Sequence, residues 1–321
     1  MPMLDMPLEQ LKGYRGMNPK PADFDAFWDA SVAEMKAVDP RVELRPADFQ
    51  APQVRCLDLY FTGVGGARIH ARLACPPEDG ALHPAVAHFH GYTGSAADFL
   101  YLLPYAYAGF YIASIDVRGQ GGESQDMGSA DGPTVYGHIV NGLLADDPRQ
   151  LFFRRVFLDV AQLAGILMDM PQVDAARVGC MGGSQGGALT LACAALEPRI
   201  ALAAPYYPWL CDYQRVWDMD MAINAYVGLK DFFRHFDPTH AREKEIFTRL
   251  GYIDVQHLAP RIRAKVMMGT GLMDNVCPPS TQFAAYNKIT SEKQMVLYPD
   301  FGHEYLPRFE ESTFTFMMQL R

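Results

Sequence analysis

Short apolar runs, each closed by glycine, proline or polar clusters, alternate along the chain with longer segments whose apolar residues recur at helical spacing. The runs at 54–62 and 67–74 are β-rich and joined through Gly63-Val64-Gly65-Gly66, which predicts a hairpin and an antiparallel entry to a sheet. Further buried strands are expected at 84–90, 111–117, 200–204, 265–271 and 294–298, and in the run from Arg177 up to the glycines at 182. Phe24, Phe27, Trp28, Val32 and Met35 mark an amphipathic helix ending near 38, and 151–170 reads as a second helix. A third begins after Ser184, where Ala188, Ala192, Ala194 and Ala195 let it lie close to a sheet. The alternation predicts an α/β fold, a mostly parallel central sheet with helices on both faces. Residues 1–321 read as one such domain, and 205 to about 263, helical and aromatic, as a small cap inserted between strands.

A chain of 321 residues that is 49% hydrophobic can bury a large core. Its 28 basic and 37 acidic residues, net charge -9, include no Lys/Arg cluster of the kind that tracks a phosphate backbone, so nucleic acid is not an expected partner. Acids interrupt the first ten residues where a signal peptide would need a basic start and an unbroken apolar core. No run is long enough to span a membrane, so a membrane is not an expected partner either. Six cysteines without a C-x-x-C pair predict buried free thiols and a reducing cytoplasm. The polar, glycine-containing connection at 127–150 is expected to form a rim or a subunit contact.

Chemistry concentrates where glycines surround a serine. Gly182-Gly183-Ser184-Gln185-Gly186, between a strand and a helix, fits the G-x-S-x-G elbow, in which a sharp turn lifts the serine hydroxyl above the sheet edge. A P-loop is excluded, because no Lys-Ser/Thr pair follows the glycines. Two later strands run into Asp274 and into Gly302-His303-Glu304, so the order is serine, acid, histidine. The expected catalytic set is Ser184, Asp274 and His303, with Asp212 the rival acid one strand earlier. The Gln185 amide and that of Tyr92, in the glycine loop Gly91-Tyr92-Thr93-Gly94, are the expected oxyanion donors. Arg118, in Arg118-Gly119-Gln120, is expected to be a buried scaffold residue whose fork could tie its loop to the one carrying Ser184. Glu304 is expected to anchor the histidine loop.

Tyr92, Tyr207 and Cys277 are candidate substrate contacts. Cys277, three residues past Asp274, either packs the start of the next helix as a buried thiol or lines an acyl pocket with room for acetyl and little more. His88 and His90 share one strand face, but no third ligand of suitable spacing accompanies them, so packed, hydrogen-bonded histidines are expected. Neither metal nor cofactor is called for.

Arg118-Gly119-Gln120, the Ser184 elbow and His303-Glu304 together resemble the three signatures of carbohydrate esterase family 7, the acetyl xylan esterases and cephalosporin C deacetylases. Asn18-Pro19-Lys20-Pro21 with Phe24 and Trp28 is similar to the family's start, and Gly271-Leu272-Met273-Asp274 with Cys277-Pro278-Pro279-Ser280-Thr281 to its acid loop. The resemblance implies an α/β-hydrolase fold and a cytoplasmic serine esterase that deacetylates small acetylated sugars and cephalosporin C. It also implies a ring-like hexamer with its sites opening to a central space. The run from Pro205 to Asp212 is more aromatic than the Pro-Phe-Leu run of that family, which bears on the alcohol portion accepted.

Overall fold

The computed structural model describes residues 4–128 and 137–321, and among these nine strands form one sheet. They are β1 (Glu43–Pro46), β2 (Arg55–Thr62), β3 (Arg68–Cys75), β4 (His83–Phe89), β5 (Tyr111–Ile115), β6 (Val173–Gly183), β7 (Leu202–Tyr206), β8 (Lys265–Gly271) and β9 (Lys293–Tyr298). Their order is β1-β2-β3-β5-β4-β6-β7-β8-β9. The expected hairpin pairs β2 with β3, β1 and β5 add antiparallel neighbours, and every pair from β5 to β9 is parallel. β1 escapes the sequence pattern because Glu43-Leu44-Arg45-Pro46 is exposed, charged and closed by proline, which suits an edge.

The helices are α1 (Leu8–Leu11), α2 (Phe24–Ala37), α3 (Phe99–Tyr107), α4 (Phe152–Met168), α5 (Gln185–Leu196), α6 (Tyr213–Asp218), α7 (Val227–Phe236), α8 (Glu243–Leu250), α9 (Val255–Leu258), α10 (Pro279–Tyr286) and α11 (Phe309–Met317). Period-two alternation along the strands builds two cores. Ala85, Ala87, Phe89, Tyr111, Ala113 and Ile115 point toward α2, α4 and α5, while Val86 and Ile112 point toward α3 and α11. A parallel sheet entered by antiparallel strands and covered on both faces is the α/β-hydrolase fold.

α4 is enclosed almost completely, because α2 lies across it. Trp28 stacks on Phe157 at 5.9 Å and donates through Nε1 to the Tyr252 carbonyl at 2.9 Å. Buried Arg154 is satisfied by Ser31 Oγ at 2.9 Å and by Glu34. Between β7 and β8 the chain is helical, as expected, but it becomes so later than 205. Pro205 and Tyr206 still belong to β7, where Tyr206 pairs with Gly183 and Gly269. Of the connection expected at 127–150, residues 129–136 lie outside the described residues; the later part forms 3-10 turns at His138–Val140 and Pro148–Gln150.

Candidate active site

At the C-terminal end of β6 the chain turns through Ser184 and enters α5 at once. Ser184 has φ 57° and ψ -119°, a conformation that residues with a Cβ rarely adopt. Its neighbours make the turn possible: a Cβ would stand 2.4 Å from the Phe89 carbonyl oxygen at Gly182 and 2.0 Å from it at Gly186. Backbone bonds hold the turn, Ser184 N–H to the Tyr206 carbonyl at 3.1 Å and Trp209 N–H to the Ser184 carbonyl at 3.0 Å.

The structure brings Ser184, His303 and Asp274 into one hydrogen-bonded line. Ser184 Oγ lies 2.9 Å from His303 Nε2, and His303 Nδ1 lies 2.9 Å from Asp274 Oδ2. Asp274 is fully buried, and its Oδ1 accepts the N–H groups of Val276 at 2.9 Å and Cys277 at 2.7 Å. These backbone donors fix the carboxylate in its aim at the ring; with Nδ1–H donating to it, Nε2 is the acceptor facing the serine. Gln282 on α10 completes the arrangement: its Nε2 donates to Asp274 Oδ2 at 3.2 Å and to the Cys277 carbonyl at 2.6 Å. No sequence motif marks Gln282; its role depends on how α10 packs behind the acid loop.

Asp212 is elsewhere. It is buried, and its carboxylate accepts Tyr14 Oη–H at 2.7 Å and the N–H groups of Met17 at 3.0 Å and Asn18 at 2.8 Å. It anchors the N-terminal segment.

One expectation needs correcting: Arg118 does not tie its loop to the Ser184 turn. It is buried, and it donates from Nε at 2.6 Å and Nη2 at 2.7 Å to Asp159 of α4, and from Nη2 to the Val64 carbonyl at 3.2 Å. A buried guanidinium needs a fully buried counter-charge, and α4 supplies it. The tie to the serine turn is made two residues on. Gln120 and Gln185 exchange side-chain amide bonds at 2.7 and 3.0 Å, and Gln120 Oε1 also accepts Thr93 N–H at 2.9 Å. Gln120 thus links the loops carrying the two expected oxyanion amides, those of Tyr92 and Gln185. The Gln185 amide opens α5, where the helix end is positive. Gly119 between them has φ 66°, which the turn from Arg118 to Gln120 requires.

The remaining candidates surround this line. Tyr92 Oη donates to His138 Nδ1 at 2.9 Å, and the Tyr92 ring packs on Trp209 at 4.6 Å. Tyr207, at φ 31°, lays its ring against that of His303 with centroids 4.4 Å apart. Cys277 is fully buried with its thiol facing the Ser184 hydroxyl; burial and the nearby Asp274 charge push its pKa well up. Glu304 accepts Gly302 N–H at 2.9 Å within the histidine loop. His88 and His90 are packed and bonded: His88 Nδ1 meets Ser114 Oγ at 2.9 Å, and His90 Nε2 accepts Val117 N–H at 3.0 Å. Burial lowers the His88 pKa to about 3, so the ring is neutral. All six cysteines are buried and unbridged.

Comparison with known proteins identifies the family. The family model for acetyl xylan esterase (AXE1) matches residues 1–320. Acetyl esterase Axe7A of Xylanibacter ruminicola is 29% identical over 303 residues, covering 91% of this chain; the chain spans 64% of that relative's length. The crystal structure of acetyl xylan esterase 1 from Thermoanaerobacterium sp. JW/SL YS485 superposes with a TM-score of 0.97 at 54% identity over 99% of each chain. The acetyl xylan esterase of Paenibacillus sp. R4 gives 0.92 at 36% identity, over 98% of this chain and 99% of its own.

Proposed function

Because the chain belongs to the acetyl xylan esterase family, we propose that it is a serine esterase. It removes acetyl groups from acetylated xylooligosaccharides and other small acetylated carbohydrates, and from acetate esters such as cephalosporin C. The observation that carries the reading is the hydrogen-bonded line from Ser184 through His303 to Asp274. His303 Nε2 takes the Ser184 proton as the oxygen attacks the ester carbonyl, while Asp274 fixes the tautomer and stabilises the imidazolium. The amides of Tyr92 and Gln185 hold the oxyanion, each contributing about 3 kcal/mol in sites of this kind. The acetyl-enzyme forms as the alcohol leaves, and water repeats the cycle to release acetate.

Tyr92, Tyr207 and Cys277 border the substrate in this reading, supported by the ring contact of Tyr207 with His303 and the thiol facing Ser184. The chain acts as one domain in which the largely helical segment after β7, from 207 to about 263, serves as a cap. Among the described residues no helix is long and apolar enough to cross a membrane. The free thiols suit a cytoplasmic enzyme, and the family resemblance favours a homo-oligomer, a hexamer.

The test pairs Ser184→Ala with initial rates on acetylated xylooligosaccharides, glucose pentaacetate and cephalosporin C. Turnover of all three should vanish in the variant while circular dichroism stays that of the parent. Near-parental rates would remove Ser184 from the mechanism.

A further inference from the structure

The Asp274 carboxylate takes one of its hydrogen bonds from Gln282, which stands near the start of α10. That helix opens on Pro278 and Pro279, which have neither an N–H nor a side chain able to accept one. The first N–H of α10 is therefore that of Ser280, and Pro278 supplies no side-chain cap for it. Its acceptor comes from far away in the sequence: Asp5 Oδ2 takes the Ser280 N–H at 2.7 Å. The other oxygen, Oδ1, accepts from Arg215 Nη2 of α6 at 2.7 Å, and Arg215 Nε donates to Ser280 Oγ at 3.1 Å. Each of the three thus meets both others. The Asp5 side chain is 1% exposed, and Ser280 is fully buried. Leu11 of the same N-terminal segment packs with Phe283 of α10 and with Leu272, two residues before Asp274.

We propose that Asp5 is a positioning residue for the acyl transfer: by capping α10 it fixes Gln282 against Asp274 Oδ2, and so sets the aim of the carboxylate at His303. Burying an ion pair costs desolvation that an apolar contact avoids, so a mere tether has no need of one. A carboxylate on the first N–H of a helix does what an apolar contact cannot, fixing where the helix begins and complementing its positive end. Gln282 makes the result matter at the site. It holds the Cys277 carbonyl at 2.6 Å but Asp274 Oδ2 only at 3.2 Å, so a small slide of α10 weakens the bond to the carboxylate first. Asp5 acts only through α10, and the inference rests on the esterase reading.

Asp5→Asn keeps the shape, but its single carbonyl oxygen serves only one of the two donors, leaving Ser280 N–H or Arg215 Nη2 facing an amide NH2. On p-nitrophenyl acetate the expected result is kcat lower by about fivefold with KM little altered, and a pH–rate profile displaced in the same direction as by Gln282→Leu. Arg215→Gln, which removes the cation from the other side of the carboxylate, should reproduce both changes if Asp5→Asn folds poorly. In the Gln282→Leu background, Asp5→Asn should lower kcat by less than about twofold, because the route it acts through is already gone. Labelling of Ser184 by a fluorophosphonate reads the same serine activation without any ester, and its rate should also fall about fivefold in Asp5→Asn. A parent protein that neither labels nor hydrolyses acetate esters would sink the esterase reading and this inference with it. With an active parent, losses in kcat that multiply in the double variant, or an unchanged kcat and pH profile beside a lowered Tm, would overturn the role of Asp5 alone.

Discussion

His303 against Asp274 and His70 against Asp116 are the same chemical pair at similar distances, 2.9 and 2.6 Å between Nδ1 and a carboxylate oxygen. What differs is the group past the ring. His303 Nε2 meets the Ser184 hydroxyl, whereas His70 Nε2 meets a second carboxylate, Asp58, at 3.1 Å. Burial pushes the His70 pKa down, but its bonds to Asp116 and Asp58 outweigh that and raise it above the ordinary value. Asp116 also accepts Ala96 N–H at 2.5 Å and Glu123 N–H at 2.9 Å, so the pair pins two loops together. A histidine–aspartate contact is thus a brace when both ring nitrogens meet carboxylates. In the proposed mechanism it serves as a proton shuttle when one nitrogen faces a hydroxyl held on a strained turn.

The sharpest way to break the comparison is to remove the charge from each aspartate. Asp274→Asn should lower kcat by about four orders of magnitude through the wrong tautomer, with the fold kept. If Asp212→Asn did this instead, the acid would be misassigned. At the other pair, Asp116→Ala should act on stability: it strips buried His70 of one carboxylate partner and leaves the Ala96 and Glu123 N–H groups without their acceptor, costing about 3 kcal/mol and lowering Tm by about 4 °C. A normal Tm with lost activity would make the brace part of the chemistry. Gln282→Leu is a smaller change, the loss of one hydrogen bond to the Asp274 carboxylate. It should reduce kcat roughly tenfold and shift the pH–rate profile, with KM little altered; an unchanged pH profile would leave Gln282 a packing residue.

The smallest effect tests the charge on His70. Because folding raises its pKa, its contribution to stability is complete below the unfolded value of about 6.5 and is lost as pH rises through the folded value. Asp58→Asn should flatten the decline in Tm as pH rises above about 6.5, by less than about 1 kcal/mol. An equal slope in both proteins would contradict a charged His70.

The contrast also explains what the sequence could tell. Ser184, Asp274 and His303 were legible because each stands just past a strand end in a characteristic order, and the glycines around Ser184 are demanded by the Phe89 carbonyl. The brace was not: His70 and Asp116 are ordinary residues of separate segments, and their meeting is a fact of sheet order. Arg118 announced its need for a partner but not which one, because Asp159 looks like a stray acid in an apolar helix. Gln120 did sit inside a recognised motif, but a glutamine carries no local sign of whether it will bond to solvent or to another glutamine.

The docking of α2 across α4 bears on the order in which the molecule is made. Trp28 leaves the ribosome early, yet the ring it stacks on belongs to residue 157 and the carbonyl it donates to belongs to residue 252. Its pocket cannot exist until residue 252 has been synthesised. Contacts of such long sequence separation close late, since the loop between them must first be organised. The docking of α2 therefore waits on partners that lie far along the chain.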